Sequence, residues 1–336
     1  MFLRARGSRL SRVFVPLSGL LVLAAVSACG PDLSKANFPR TTMTAQASAG
    51  APAAGADDPA FGLPAQRLVD TCALVGKDVL GSIGTVSGTA DGFGLEKCSN
   101  DVKDAGGKAM HVAVELGSLV IGGTTNATGT VQGMPEIVDK SVPAGCTDTA
   151  VTSTTPHAVG ISVDLGYDGG GDPCPPAHTV LDKILQLIKT DAPKLADAST
   201  PGSLVPVDPC TSADAAVAAD VSGGQATTSP TGLHGCGWGD KVQLTFSNAI
   251  PPSEGDGYKA VDLGGGISAF QKTSTAGVGC DVKWQHRTLP GAQGETAKAE
   301  IVDVNYSDYS ASAAKVDVCP KAVQFAKSVV TKLPKP

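Results

Sequence analysis

The stretch Asp172-Pro173-Cys174-Pro175-Pro176-Ala177-His178-Thr179-Val180-Leu181-Asp182-Lys183-Ile184-Leu185-Gln186-Leu187-Ile188 decides the architecture, because the chain uses its design twice. Ala177, Val180, Leu181, Ile184, Leu185 and Ile188 recur at three- and four-residue spacing, which gives a helix one apolar stripe and leaves lysine for the other face. Asp172 stands where an N-cap acid belongs, and proline at the first helical positions needs no backbone donor. Asp317-Val318-Cys319-Pro320 opens a second run of the same kind, with Ala322, Val323, Ala326, Val329, Val330 and Leu333 as its stripe. Two such helices, each closing a unit, are expected to pack on two sheets.

Working back from each closing helix, strand patterns appear. Met110, Val112, Val114 and Leu116 alternate with His111, Ala113 and Glu115, and Ile161, Val163 and Leu165 share a face. In the second unit Val242, Leu244 and Phe246 alternate with Gln243, Thr245 and Ser247; Cys280, Val282 and Trp284 form another face, and Val302, Val304 and Tyr306 a third. Period-two patterning predicts half-buried antiparallel strands. Each unit also opens on a helix signal: Asp70-Thr71-Cys72 with Gly81 as a stop, and Asp208-Pro209-Cys210 followed by Ala-rich sequence to Val221 and the Gly223-Gly224 stop. The expected fold class is therefore α+β: two tandem copies of an antiparallel sheet, each packed by an opening and a closing helix. The first copy covers 61–190, a linker 191–204, and the second copy 205–336.

Nine cysteines support the same division. Cys72, Cys98, Cys146 and Cys174 belong to the first copy; Cys210, Cys236, Cys280 and Cys319 to the second; Cys29 stands apart. The first interval is 26 residues in both copies. Zinc sites draw on close pairs such as Cys-x-x-Cys, and no internal pair is that close. In an exported protein disulfides are expected instead. Four cysteines allow three pairings. We expect the sequential one, Cys72–Cys98, Cys146–Cys174, Cys210–Cys236 and Cys280–Cys319, each contributing roughly 3–4 kcal/mol in the chain-entropy account.

The N-terminus reads as an address. Arg4, Arg6, Arg9 and Arg12 precede an apolar run from Val13 to Ala25, the layout of an export signal and too short to span a bilayer, which needs about 20 apolar residues. No adjacent arginine pair marks a twin-arginine signal. The run ends in Val26-Ser27-Ala28-Cys29, which resembles the bacterial lipobox. That resemblance implies a signal peptide over 1–28 and a lipidated (diacylglycerol- and palmitate-type) Cys29, two chains of which hold a protein on a membrane. Residues 29–60, rich in Pro, Ala, Gly, Ser and Thr and without periodicity, read as a flexible tether.

Composition narrows function further. The chain has 336 residues, 41 glycines, 4% aromatic and 17% charged residues, and a formal net charge of −6, more acidic still once the four N-terminal arginines are set aside. An acidic body without clustered Lys and Arg argues against nucleic acid. The small aromatic share predicts a core of aliphatic side chains stapled by disulfides.

In the second copy Asp208-Pro209-Cys210, Cys236-Gly237-Trp238, Cys280 and Asp317-Val318-Cys319-Pro320 resemble the DPC…CxW…C…DxC pattern of a family of actinobacterial lipoproteins and exported proteins, a domain of unknown function. The resemblance covers about Val205 to Leu333 and extends more weakly over Leu63 through Ile188, where Cys98-Ser99-Asn100 lacks the Trp and Asp70-Thr71-Cys72 lacks the Pro. The layout is also similar, at fold level, to the extracellular sensor domain of a mycobacterial serine/threonine kinase. Both resemblances imply helices on a twisted antiparallel sheet with two disulfides; neither implies an activity.

Other chemistry is sparse in the sequence. His111, His157, His178, His234 and His286 are scattered, with no local metal pair, and His111 and His286 read as surface or interface residues. Ser312-Ala313-Ala314-Lys315 matches Ser-x-x-Lys but lacks its helix and partner motifs. Asp168-Gly169-Gly170-Gly171-Asp172 reads as a turn capping the Cys174 helix rather than a calcium loop, and Gly264-Gly265-Gly266 as a turn. Trp238 and Trp284 are candidate binding residues, weighed against a core role beside the disulfides. The expectation is a non-enzymatic binding or interaction lipoprotein on the outer face of the cytoplasmic membrane. No catalytic residue, metal or cofactor is assigned, and the partner is an envelope protein or a small hydrophobic ligand. The rivals are an envelope hydrolase assembled only in the fold and a structural accessory of a membrane complex.

Overall fold

The computed structural model describes residues 58–336 except 156, 225–226, 275–277, 291–297 and 310–316. Cys29, the signal, nearly all of the tether and Ser312–Lys315 lie outside the described residues. The strands of the first copy are β1 (Thr85–Val86), β2 (Asp91–Phe93), β3 (Lys97–Lys103), β4 (Ala109–Leu119), β5 (Gly129–Val131), β6 (Met134–Asp139), β7 (Gly145–Ser153) and β8 (Val159–Tyr167). Those of the second are β9 (Thr228–Pro230), β10 (Gly235–Trp238), β11 (Val242–Ala249), β12 (Lys259–Asp262), β13 (Ser268–Thr273), β14 (Gly279–Thr288) and β15 (Ala299–Ser307). The helices are α1 (Leu63–Gln66), α2 (Lys77–Leu80), α3 (Cys174–Asp191), α4 (Ala215–Ser222) and α5 (Cys319–Val330).

The first sheet has the order β1-β3-β4-β8-β7-β6-β5, with β2 also on β3. Read from its other end, the second is β9-β10-β11-β15-β14-β13-β12. The two orders coincide, strand for strand and all antiparallel, so the duplication seen in the cysteines extends to topology. Every strand expected from alternation is present. The closing helices α3 and α5 lay Ala177, Val180, Leu181, Ile184 and Leu185, and Ala322, Phe325, Ala326 and Val329, onto their sheets, all fully buried.

The opening helices differ from expectation. In the second copy Asp208 caps only a 3-10 turn, Pro209–Thr211; the chain then restarts at Asp214, whose carboxylate accepts from the Ala216 and Val217 amides and begins α4. Gly223 closes α4 at a positive φ of 85°. In the first copy a 3-10 turn, Ala73–Val75, is cut from α2 by Gly76 in extended backbone.

Four disulfides are present: Cys72–Cys98, Cys146–Cys174, Cys210–Cys236 and Cys280–Cys319. Each joins a strand to a turn or helix start, and each helix-side cysteine follows the same device. Asp70, Asp172, Asp208 and Asp317 accept the amide of the cysteine two residues on, at 3.0, 3.1, 2.9 and 3.0 Å. An aspartate in this place satisfies an amide with no helical partner and fixes the direction of the Cα–Cβ bond that carries the sulfur.

Both sheets lie within one unit, Ala51–Pro336. Residues 191–204, the expected linker, are held along their length: Val69 bridges Lys194, the Asp70 amide donates to the Pro193 carbonyl, and Leu195 donates to Leu68. Ser203 and Leu204 are buried. The cores of the two copies exchange one buried residue each, and half-buried Leu68 of the first copy also packs on the second core. Leu233, from the second copy, sits in the first core; Leu95, from the first, sits in the second. Gly117 makes the first exchange feasible, because a Cβ at that position would come within 2.6 Å of the Leu233 side chain.

Candidate functional site

Two places combine unusual chemistry with access. The first lies under the N-terminal turns of α3. Cys146 in β7 points at α3 through its disulfide, so Asp148, two residues on, faces the same way. Glu136 in the neighbouring strand β6 is paired with Ala150 and shares that face. His178 comes down from α3, one turn past Cys174. Its Nδ1 lies 2.5 Å from Glu136 Oε1 and 3.4 Å from Asp148 Oδ2. The Asp148 side chain is 1% exposed and that of His178 50%. Neither Asp148 oxygen accepts a hydrogen bond.

Burial first, and then the neighbouring Glu136 carboxylate, push Asp148 up to about 7, with His178 pulling the other way. For His178 burial disfavours the charged ring, yet the Glu136 bond and the charges of both carboxylates hold its pKa above the ordinary value. Among the described residues this is the one group of three such side chains close enough to share a metal ion. Sequence reading missed it because the members come from β6, β7 and α3. The available signal was an acid at an inward position in each of two adjacent strands.

The second place is a cavity of about 360 Å³ in the C-terminal copy, lined by Trp284, Ile267, Val330, Leu333, Pro334 and Pro336 among others. Trp284 is fully buried, and its indole N–H has no hydrogen-bond partner. His286 also lines the cavity; its Nε2 donates to the Gly202 carbonyl at 2.9 Å, and burial holds its pKa below the usual range. Trp238, by contrast, packs edge-on against Phe325 at a ring distance of 4.9 Å and is a core residue. Both candidate tryptophans are therefore buried, and Trp284 backs the wall of this cavity from within the core.

The remaining singled-out residues are accounted for locally. His111 is exposed and pairs with Asp101 at 2.9 Å. His157 lines an open groove with Leu119, Ile121 and Ser229. His234 is buried where the two copies meet, its amide donating to Glu96 Oε1 and its Nε2 to the Val205 carbonyl. Asp172 caps Cys174 and pairs with Lys140, which fits the turn reading of that loop. Gly264, Gly265 and Gly266 all have positive φ and turn β12 into β13. No family model, curated protein or solved structure matches the chain.

Proposed function

We propose that the chain is an extracytoplasmic binding module, held on the membrane through lipid at Cys29, whose C-terminal copy takes a small apolar ligand beside Trp284. The cavity at Trp284 carries this reading: its lining is mostly apolar and it is of a size for a small ligand. The compartment is supported by four disulfides, which persist in oxidising surroundings, and by Val26-Ser27-Ala28-Cys29. Among the described residues no helix is long and apolar enough to cross a membrane, so attachment in this reading falls to the lipid.

The test is extraction of the detergent-purified protein with organic solvent, followed by mass spectrometry. Wild type is expected to yield an apolar molecule that Leu333→Trp, which fills the cavity near the chain end, does not. An empty wild-type extract, or the same extract from both proteins, would overturn the ligand reading. Cys29→Ala is expected to release the protein from membranes or leave its signal uncleaved; unchanged retention would remove the anchor.

A further inference from the structure

The second copy serves as an internal control for the polar cluster of the first. Asp148 lies two residues past Cys146 in β7; Val282 lies two past Cys280 in β14. Glu136 is paired with Ala150, four past that cysteine; Ala269 is paired with Trp284, four past its own. His178 is four past Cys174 in α3, and Val323 four past Cys319 in α5. One fold thus places Val282, Ala269 and Val323 where the first copy has Asp148, Glu136 and His178. The architecture does not need charge there. The first copy nevertheless buries Asp148 with neither oxygen hydrogen-bonded and with the His178 ring, 3.4 Å from Oδ2, as its cationic neighbour, an arrangement that costs stability unless something else binds the free oxygens.

We propose that Glu136, Asp148 and His178 form a binding site for one divalent transition-metal ion, with Zn²⁺ the best match to one imidazole nitrogen and two carboxylates. Their ligand atoms all lie within 4.8 Å of one another. Zn–N and Zn–O bonds of about 2.0–2.2 Å at tetrahedral angles put neighbouring ligands about 3.4 Å apart. His178 Nδ1 and Asp148 Oδ2 already stand at 3.4 Å. The 2.5 Å contact of His178 Nδ1 with Glu136 Oε1 lengthens as the ion takes the place of the proton between them. Access comes from the solvent side. His178 is half-exposed, and a Cβ at Gly129 would lie 3.0 Å from Glu136 Oε2, so the glycine keeps that side of the carboxylate open. A water completes the fourth position.

The experiment uses the whole chain, disulfides formed, carrying no histidine tag and stripped of metal with a chelator. Zn²⁺ is titrated calorimetrically, and Co²⁺ is added in parallel to read its visible spectrum. Wild type is expected to bind one ion per chain, to give the intense absorption of four-coordinate Co²⁺, and to melt higher with Zn²⁺ present. The variant E136A/D148V/H178V, which copies the second domain, is expected to fold and bind roughly 100-fold or more weakly. H178Q, altered at a half-exposed position, supplies the same readout should the triple variant misfold. Absence of wild-type binding, or equal binding by H178Q, would overturn the site.

Discussion

Glu300 is a buried carboxylate of β15 that ties its hairpin mate β14 to the connecting segment. It is 1% exposed and accepts from Ser203 Oγ at 2.6 Å, the Leu204 amide at 3.1 Å and the Arg287 guanidinium at 2.9 Å. Burial would raise its pKa, but these donors outweigh burial and hold it below the ordinary 4.5. Its contribution to stability is therefore complete above about pH 4.5 and is lost as pH falls through the lower folded value. Glu300→Gln leaves Arg287 with Asp197 as its ion-pair partner and weakens the charge-assisted hydrogen bonds around position 300, and it is expected to cost about 2 kcal/mol in denaturant unfolding at neutral pH. The variant's melting temperature should also fall less steeply than wild type's below pH 4.5. A variant that tracks wild type across that window would show that Glu300 is not responsible. None of this was legible in the sequence, because the partners of Glu300 come from a hairpin mate and from the connecting segment.

At the scale of elements, the unit of construction is Asp-x-Cys joined to a strand, used four times. The double variant Cys280→Ala/Cys319→Ala opens a 39-residue loop. It is expected to lose about 4 kcal/mol, read as a lower urea midpoint in the non-reduced protein. Elements with a sustained apolar period were legible, namely β4, β8, β11, β14, β15, α3 and α5, whereas the buried strands β3 and β7 were not, because polar residues such as Asn100, Asp148 and Thr149 interrupt their apolar pattern. Edge strands were not legible either. Lys259–Asp262 of β12 and Asp91–Phe93 of β2 are mostly exposed, so no apolar alternation marks them. The opening helices were over-extended for a different reason. Asp214 competes with Asp208 as a cap, and an Ala-rich run does not say where a helix begins. The polar trio under α3 escaped because its signal is register, which a single strand does not contain.

At the scale of the whole molecule, the two copies meet through matching parts. Leu95 stands three residues before Cys98 and Leu233 three before Cys236, and each enters the other's core. Between them Glu96 accepts from His234 on one side of the exchange, while buried Arg67 donates to the Leu233 carbonyl at 2.7 Å and pairs with Asp208 at 3.2 Å. Equivalent residues in reciprocal contact are the signature of a two-fold interface between like subunits. Leu233→Ala should therefore destabilise the copy to which the residue does not belong. We expect a loss of about 3 kcal/mol, appearing as weakened amide protection in β4 and β8 under native-state hydrogen exchange. Protection lost in β10 and β11 alone would refute the exchange as an energetic link.

That reciprocal leucine sets an order of events. A chain that emerges N-terminus first completes every strand of its first sheet, and α3, before Leu233 has appeared, so the first core stays one buried side chain short when its own last residue arrives. Its final side chain comes with the start of the next sheet. Until then the first copy lacks the stability that Leu233 adds, so the two copies reach their full stability together.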